Sequence, residues 1–348
     1  MPDKTIRLMQ VIAGGKHGGA EEFFVRLVIS LNRAGITQRI IIRKGQPWSK
    51  KLFKEGLDIV EIDFGGYFDF LTRRSIKLKI EEFRPSHLLT WMNRATKCSS
   101  RIRTNYNYVH LARLGGYYDV KYYKSCDHLI GNTKKIVSYL SDLGWPQKRL
   151  HYLPNFPGNS VSKPLPRSTF DTPENAKILL AIGRYHKNKG FDVLLKALPS
   201  IPGGWLWIAG EGPCRKELEK LADHLGISDR VRFLGWRDDI PALMVTADIF
   251  ICSSRIEPLG NVILEAWAFS IPIVSTNADG PCQLIESGKD GLLVPIDDPE
   301  AIYNSINTLI ENPSLSERLA KSGFDKFSKE FNENAVVKKY IRLLQETF

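Results

Sequence analysis

The stretch Glu257-Pro258-Leu259-Gly260-Asn261-Val262-Ile263-Leu264-Glu265 decides the reading of this chain. Two carboxylates stand eight positions apart, with Pro and Gly close behind the first. The apolar strand pattern Ala247-Asp248-Ile249-Phe250-Ile251-Cys252 comes before the run. A helical pattern follows Pro258, a residue suited to a helix's first turn. Glu257 is therefore expected on a strand-to-helix loop, and Glu265 roughly two turns into the helix. Two carboxylates so placed grip one ligand at points about 12 Å apart. Unpaired backbone N–H groups at the helix start form an anion site between them. The ligand this describes has two hydroxyl-bearing rings and a negative charge between them, as in a sugar nucleotide.

The run, continued by Ala266-Trp267-Ala268 and Ile271-Pro272-Ile273-Val274-Ser275-Thr276, resembles the Glu-x7-Glu signature of retaining glycosyltransferases with the GT-B fold, particularly the large GT4 family. The resemblance implies that Glu257 binds the donor sugar's hydroxyls and Glu265 the nucleotide ribose. Leu259, Gly260 and Asn261 would line the donor between them. Gly183-Arg184 and Lys187-Asn188-Lys189-Gly190 follow the apolar strand Lys177-Ile178-Leu179-Leu180-Ala181-Ile182. They look like the family's Gly-Arg…Lys-Gly element, whose cations neutralise the donor diphosphate. Cations belong there because the leaving nucleotide gains charge as the glycosidic bond breaks. Arg forks two phosphate oxygens, while Lys is a movable point charge.

Near the N-terminus, the strand Ile6–Ile12 leads into Ala13-Gly14-Gly15-Lys16-His17-Gly18-Gly19-Ala20-Glu21 and a helix. Glycines let backbone approach a bulky anion, and a helix start favours negative charge. The loop does not match the dinucleotide pattern. It resembles the Gly-Gly-Ala-Glu loop of GT4 enzymes, which implies that Gly18 and Gly19 face the donor. Lys16 is either a phosphate or acceptor contact, or solvated. His110 follows the strand pattern Asn107-Tyr108-Val109, where a polar residue at a strand's carboxyl end points into the ligand crevice. Many GT4 members have His-Asp here, with the His at the reaction centre; the next residue here is Leu111, so the acidic partner is absent. Trp236, after the strand Arg230–Phe233, stands where the family places its base-binding loop. It either stacks on the base or caps the edge of the core. His17, His87, His128, His151, His186 and His224 show no metal spacing.

The 348 residues suffice for two domains, each with its own core. No apolar run is long enough to span a membrane. The start, Met1-Pro2-Asp3-Lys4, lacks a signal-peptide pattern. Five scattered cysteines argue against a disulfide framework or zinc site and fit a reducing cytoplasm. Charge separates the halves. Residues 1–165 hold 28 Lys and Arg against 13 Asp and Glu, a net of +15; the rest hold 21 against 25, a net of −4. The first half is thus expected to face a polyanion, whether nucleic acid, an anionic membrane surface or a phosphorylated acceptor. The bias is densest around Arg94, Lys97, Arg101, Arg103, Arg113, Lys121 and Lys124. Tyrosines are interleaved there, as suits a membrane interface. A second basic stretch, Arg73, Arg74, Lys77 and Lys79, lies on a helix with Leu71 and Leu78.

Strand and helix patterns alternate throughout, the mark of parallel α/β sheets. Strands are expected near 5–12, 36–43, 57–63, 86–91, 107–111 and 127–131, then 177–182, 205–209, 230–234, 247–252, 272–275 and 291–294. Pro154 to Pro173 reads as a linker. The expected organisation is GT-B: two Rossmann-like parallel-sheet domains facing across a cleft. Residues 1–160 form a basic acceptor-binding domain and 161–330 a nucleotide-sugar-binding domain. A helix over 331–348 returns to the first domain through Val336, Val337, Tyr340, Ile341 and Leu344.

The resemblance implies a retaining glycosyltransferase with Glu257 orienting the sugar. It implies no cofactor and no metal, since Arg184, Lys189 and helix dipoles take the ion's place. The segment Arg113-Leu114-Gly115-Gly116-Tyr117-Tyr118 looks like bacterial enzymes that extend the lipopolysaccharide core. The partners expected are a nucleotide sugar, an anionic glycolipid or oligosaccharide acceptor, and peripheral contact with the anionic inner membrane from the cytoplasm, with no nucleic acid. Two rivals are a nucleotide-sugar 2-epimerase and a basic nucleic-acid binder. The first would turn over donor without acceptor; the second would show steep salt-dependent binding.

Overall fold

A computed structural model describes residues 5–16, 18–65, 69–158 and 161–348. Residues 1–4, His17 and the linker residue Asn159 lie outside this set. The chain divides into two compact units, Met1–Phe156 with Glu333–Phe348, and Pro157–Asn332. The linker expected from Pro154 to Pro173 contains the break between Phe156 and Pro157.

In unit 1 the strands are β1 (Arg7–Ile12), β2 (Thr37–Arg43), β3 (Asp58–Ile62), β4 (His87–Trp91), β5 (Val109–Leu114), β6 (His128–Gly131) and β7 (Leu150–Tyr152). Its helices are α1 (Gly19–Arg33), α2 (Ser49–Lys54), α3 (Phe70–Phe83), α4 (Met92–Ser99) and α5 (Lys134–Asp142). The strands form one parallel sheet in the order β3-β2-β1-β4-β5-β6-β7. Central strands such as His87–Trp91 are buried along their whole length, as expected of a parallel sheet covered on both faces.

Unit 2 holds β8 (Lys177–Ile182), α6 (Phe191–Ala197), β9 (Gly204–Ala209), α7 (Arg215–His224), β10 (Val231–Gly235), α8 (Ile240–Thr246) and β11 (Ile249–Cys252). There follow α9 (Asn261–Ala268), β12 (Ile273–Thr276), α10 (Pro281–Leu284), β13 (Leu292–Val294), α11 (Pro299–Glu311) and α12 (Pro313–Glu330). The sheet order is β10-β9-β8-β11-β12-β13, again all parallel. Chain direction across the sheet reverses between β8 and β11, and between β1 and β4 in unit 1. Such switch points leave a crevice at the strands' carboxyl ends.

The last helix, α13 (Glu333–Glu346), belongs to unit 1. Val336, Val337, Tyr340, Leu343 and Leu344 enter the core that α1 lines. Ser30 Oγ donates to Glu333 Oε1 at 2.7 Å. Each such buried apolar side chain contributes about 1.5–3 kcal/mol. No described helix is long and apolar enough to cross a membrane.

Candidate functional site

In unit 2 the loops after β8 and β11 meet. Lys189 Nζ lies 2.5 Å from Glu257 Oε2. Ser253 Oγ donates to the Lys189 carbonyl at 2.9 Å. Gly190 is left-handed (φ +61°), and a Cβ there would come within 2.1 Å of the Ser253 carbonyl oxygen. Only glycine permits both the turn and this approach. Arg255 completes the junction. Its backbone N–H donates to the Asn188 carbonyl at 2.8 Å. Its guanidinium forks Asp192 with two bonds of 2.7 Å and reaches Asp297 at 2.6 Å. The bond to Asp192, above all, holds the guanidinium's pKa above its ordinary value. Sequence reasoning passed over Arg255; its place two residues before Glu257 was the available signal.

Glu257 is buried and accepts the Gly260 N–H at 3.3 Å through Oε1, while its carbonyl accepts the Gly280 N–H at 2.6 Å. One expectation is corrected here. Gly260 is left-handed (φ +68°), a conformation a right-handed helix excludes, so α9 starts at Asn261 rather than after Pro258. Glu265 is the fifth residue of α9, little more than one turn in rather than two. No side chain caps the start of α9. Leu259, Asn261 and Glu265 are half-buried around it.

Arg184 is exposed at the carboxyl end of β8 and makes no ion pair or hydrogen bond among the described residues. Its charge is thus unpaired among the described residues, whereas Lys189 is paired with Glu257. Trp236 follows β10 with 73% of its surface exposed, so it does not cap the core edge and presents an open flat face. Its neighbour Arg237 is spent on Asp239, at 2.8 and 2.6 Å. All these residues stand at the carboxyl ends of unit 2's strands.

In unit 1, Gly18 precedes α1 and Gly19 opens it. One of the loop's N–H groups is occupied from within: Glu21 folds back, and its Oε1 accepts the Gly15 N–H at 2.7 Å. A Cβ on Gly14 or Gly18 would lie 2.7 or 2.3 Å from this carboxylate. Lys16 is exposed and forms no ion pair among the described residues.

His110 is corrected outright. Strand β5 runs over Val109–Leu114, not 107–111, so His110 is the strand's second residue and lies at its amino end, away from the crevice. It is buried, its backbone N–H donates to Asp127 Oδ2 at 2.8 Å, and its ring Nε2 is 3.0 Å from Thr90 Oγ1. Burial pushes its pKa down to about 4. It is a core histidine. The residue that β5 carries toward its carboxyl end is Arg113.

Arg94, Lys97, Arg101, Arg103, Lys121 and Lys124 are all exposed. Arg94 donates to the carbonyls of Phe64 and Gly65, and Lys121 pairs with Asp119 at 2.6 Å. On α3, Phe70 and Leu71 stand 75% and 77% exposed beside Arg74 and Lys77. This face adds an apolar element that the basic cluster lacks.

Comparison with known proteins agrees with this architecture. Residues 164–326 match the family Glycosyl transferases group 1. The lipopolysaccharide core biosynthesis glycosyltransferase LpsE of Rhizobium meliloti (strain 1021) is 37% identical over 335 residues, covering 95% of this chain and 96% of LpsE. LpsD of the same organism is 33% identical over 332 residues, covering 94% and 95%. The crystal structure of Anabaena Alr3699/HepE in complex with UDP and glucose superposes with a TM-score of 0.83 at 20% identity, covering 98% of this chain and all of that one. The fold is GT-B, with its two parallel-sheet units. With both sheets, the glycosyl transferase match over unit 2 and near full-length relatives in hand, the chain belongs to the group 1 glycosyl transferases.

Proposed function

We propose that this glycosyltransferase moves a sugar, with retention of configuration, from a uridine diphosphate sugar to an acidic glycan or glycolipid of the cell envelope, as in lipopolysaccharide core assembly. The observation that carries the donor half is the Lys189–Glu257 pair beside the unpartnered Arg184. Arg184 and Lys189 take the diphosphate, Glu257 the sugar hydroxyls, Glu265 the ribose and Trp236 the base. Leu259, Gly260 and Asn261 contribute the uncapped start of α9. The HepE structures hold UDP, UDP-glucose or UDP with glucose, which favours uridine. The names of LpsE and LpsD favour the acceptor class.

In the reaction, the bond from the anomeric carbon to the β-phosphate oxygen breaks, and the acceptor oxygen bonds on the same face. The acceptor's proton passes to the leaving phosphate. Arg184 and Lys189 stabilise the charge developing there, so no divalent ion is needed. Glu257 orients the ring and is not the nucleophile. The enzyme works in the cytoplasm and docks on the anionic inner leaflet through Arg94, Lys97, Arg101, Arg103, Lys121 and Lys124, with Phe70 and Leu71 of α3 entering the headgroup layer. The test is a thermal-shift screen against UDP, GDP, ADP and CMP sugars. A ligand at 100 times its Kd stabilises by about 2.7 kcal/mol. Stabilisation by UDP sugars supports the reading; none by any of the four overturns it.

A further inference from the structure

Unit 1 buries two opposite charges that do not pair. Glu21 is 7% exposed and Arg113 2% exposed. Neither forms an ion pair among the described residues. Buried ions without a counter-ion are costly, by several kcal/mol each. A fold that brings both to one end of one sheet and leaves them apart therefore calls for a reason.

Their surroundings are specific. Arg113 lies near the carboxyl end of β5, its guanidinium 4.5 Å from the ring centre of Phe23 and 4.7 Å from that of Trp91. Its Nε donates to Tyr340 Oη at 2.8 Å and its Nη2 to Asn155 Oδ1, both neutral acceptors; Nη1 donates to nothing among the described residues. Phe23 is two residues from Glu21 on α1, which places the carboxylate on the same end of the sheet. Of that carboxylate, Oε1 accepts the Gly15 N–H, and Oε2 accepts nothing among the described residues. Both groups act on the Tyr118 hydroxyl, whose pKa burial raises, Arg113 lowers and Glu21 raises again. At the end of the adjacent β6, the Asn132 side chain lies 3.6 Å from where a Gly115 Cβ would stand. Its Oδ1 is buried and accepts no hydrogen bond. Such an orphan is what a ligand hydroxyl or a held water satisfies.

The geometry points to a binding subsite in which Glu21 Oε2 and Arg113 Nη1 hold the two ends of one acidic sugar unit of the acceptor. Glu21 accepts its hydroxyls and Arg113 pairs with its anionic group. A neutral sugar leaves Arg113 without a counter-ion, and a simple anion lacking hydroxyls is repelled by Glu21. The ligand that suits both carries hydroxyls and an acid on one ring. The acid is either a carboxylate or a phosphate.

This rests on the reading of unit 1 as the acceptor side, and the test keeps the two apart by measuring donor binding separately. Glucuronic acid, glucose 6-phosphate and glucose are titrated into the full-length protein by ligand-observed NMR, and UDP is titrated by calorimetry. Wild type is expected to bind one of the two acidic sugars at least tenfold more tightly than glucose; which one identifies the acid. Glu21→Gln keeps the Gly15 bond, so the loop holds its shape, and Arg113→Lys keeps the charge but loses the fork. Each is expected to abolish the preference over glucose while UDP affinity stays at the wild-type value. Equal binding of all three sugars, or an undiminished preference in Glu21→Gln, overturns the subsite. Loss of UDP binding by wild type overturns the donor reading instead.

Discussion

Lys189 Nζ and Glu257 Oε2 sit 2.5 Å apart, joining the loops after β8 and β11. On the donor assignment proposed above, the pair sets the cation for the diphosphate and the carboxylate for the sugar in fixed register before any ligand arrives. Lys189→Ala therefore removes one charge-assisted bond to the phosphates and also frees Glu257. UDP affinity is expected to fall roughly 10- to 150-fold, the equivalent of about 1.5–3 kcal/mol. Calorimetry checks this; an unchanged Kd counts against the assignment.

Trp236 is too exposed to contribute much to stability. Trp236→Ala is expected to leave the melting temperature unchanged and to weaken UDP by about 1–3 kcal/mol, the range for a base stacked on an aromatic ring. Unaltered affinity and base preference would show that the ring has another use.

His110 separates stability from catalysis. Its folded pKa of about 4 lies below the ordinary 6.5. Above pH 6.5 the ring is neutral in both states and contributes nothing. Between 6.5 and 4 the unfolded chain takes up the proton first, so stability falls with pH, by about 3 kcal/mol in all. His87 and His151, also lowered to about 4 by burial, steepen the same limb. His110→Gln is expected to keep transfer activity and show a shallower acid limb in denaturant melts. A folded variant that has lost transfer would return His110 to the reaction centre.

The sheets were legible in the sequence because each buried strand is a short apolar run punctuated by turn residues, as in Lys177–Ile182 and Ile249–Cys252. Strand β7, Leu150–Tyr152, was not: three residues at a sheet edge carry too little pattern. The extra residues in β5 moved His110 from the crevice into the core, because Leu111–Leu114 continues the strand past a charged Arg113 that apolar periodicity treats as a stop. The Glu257–Glu265 run announced the strand-to-helix loop, but not that Gly260 would delay the helix. Nor did spacing reveal that Glu21 turns back onto Gly15, since that contact depends on the space beside Gly14 and Gly18.

The membrane docking proposed above would combine the basic cluster with the exposed face of α3. Each basic residue near an anionic bilayer contributes about 1 kcal/mol. Salt weakens this as the Debye length shrinks from about 10 Å at 0.1 M to 3 Å at 1 M. Co-sedimentation with anionic vesicles at low salt, released by high salt and weakened in Phe70→Ser with Leu71→Ser, is the expected result. No binding to anionic vesicles at low salt would point to a soluble acceptor.

The division of labour between the two carboxylates is the centre of the account, and one titration addresses it. UDP is titrated into wild type, Glu257→Gln and Glu265→Gln, with transfer from a UDP sugar followed in parallel. Glu265→Gln is expected to bind UDP more weakly, because the ribose loses its acceptor. Glu257→Gln is expected to bind UDP as wild type does yet to lose transfer, because only the sugar meets that carboxylate. Equal loss of UDP affinity in both variants would contradict the account.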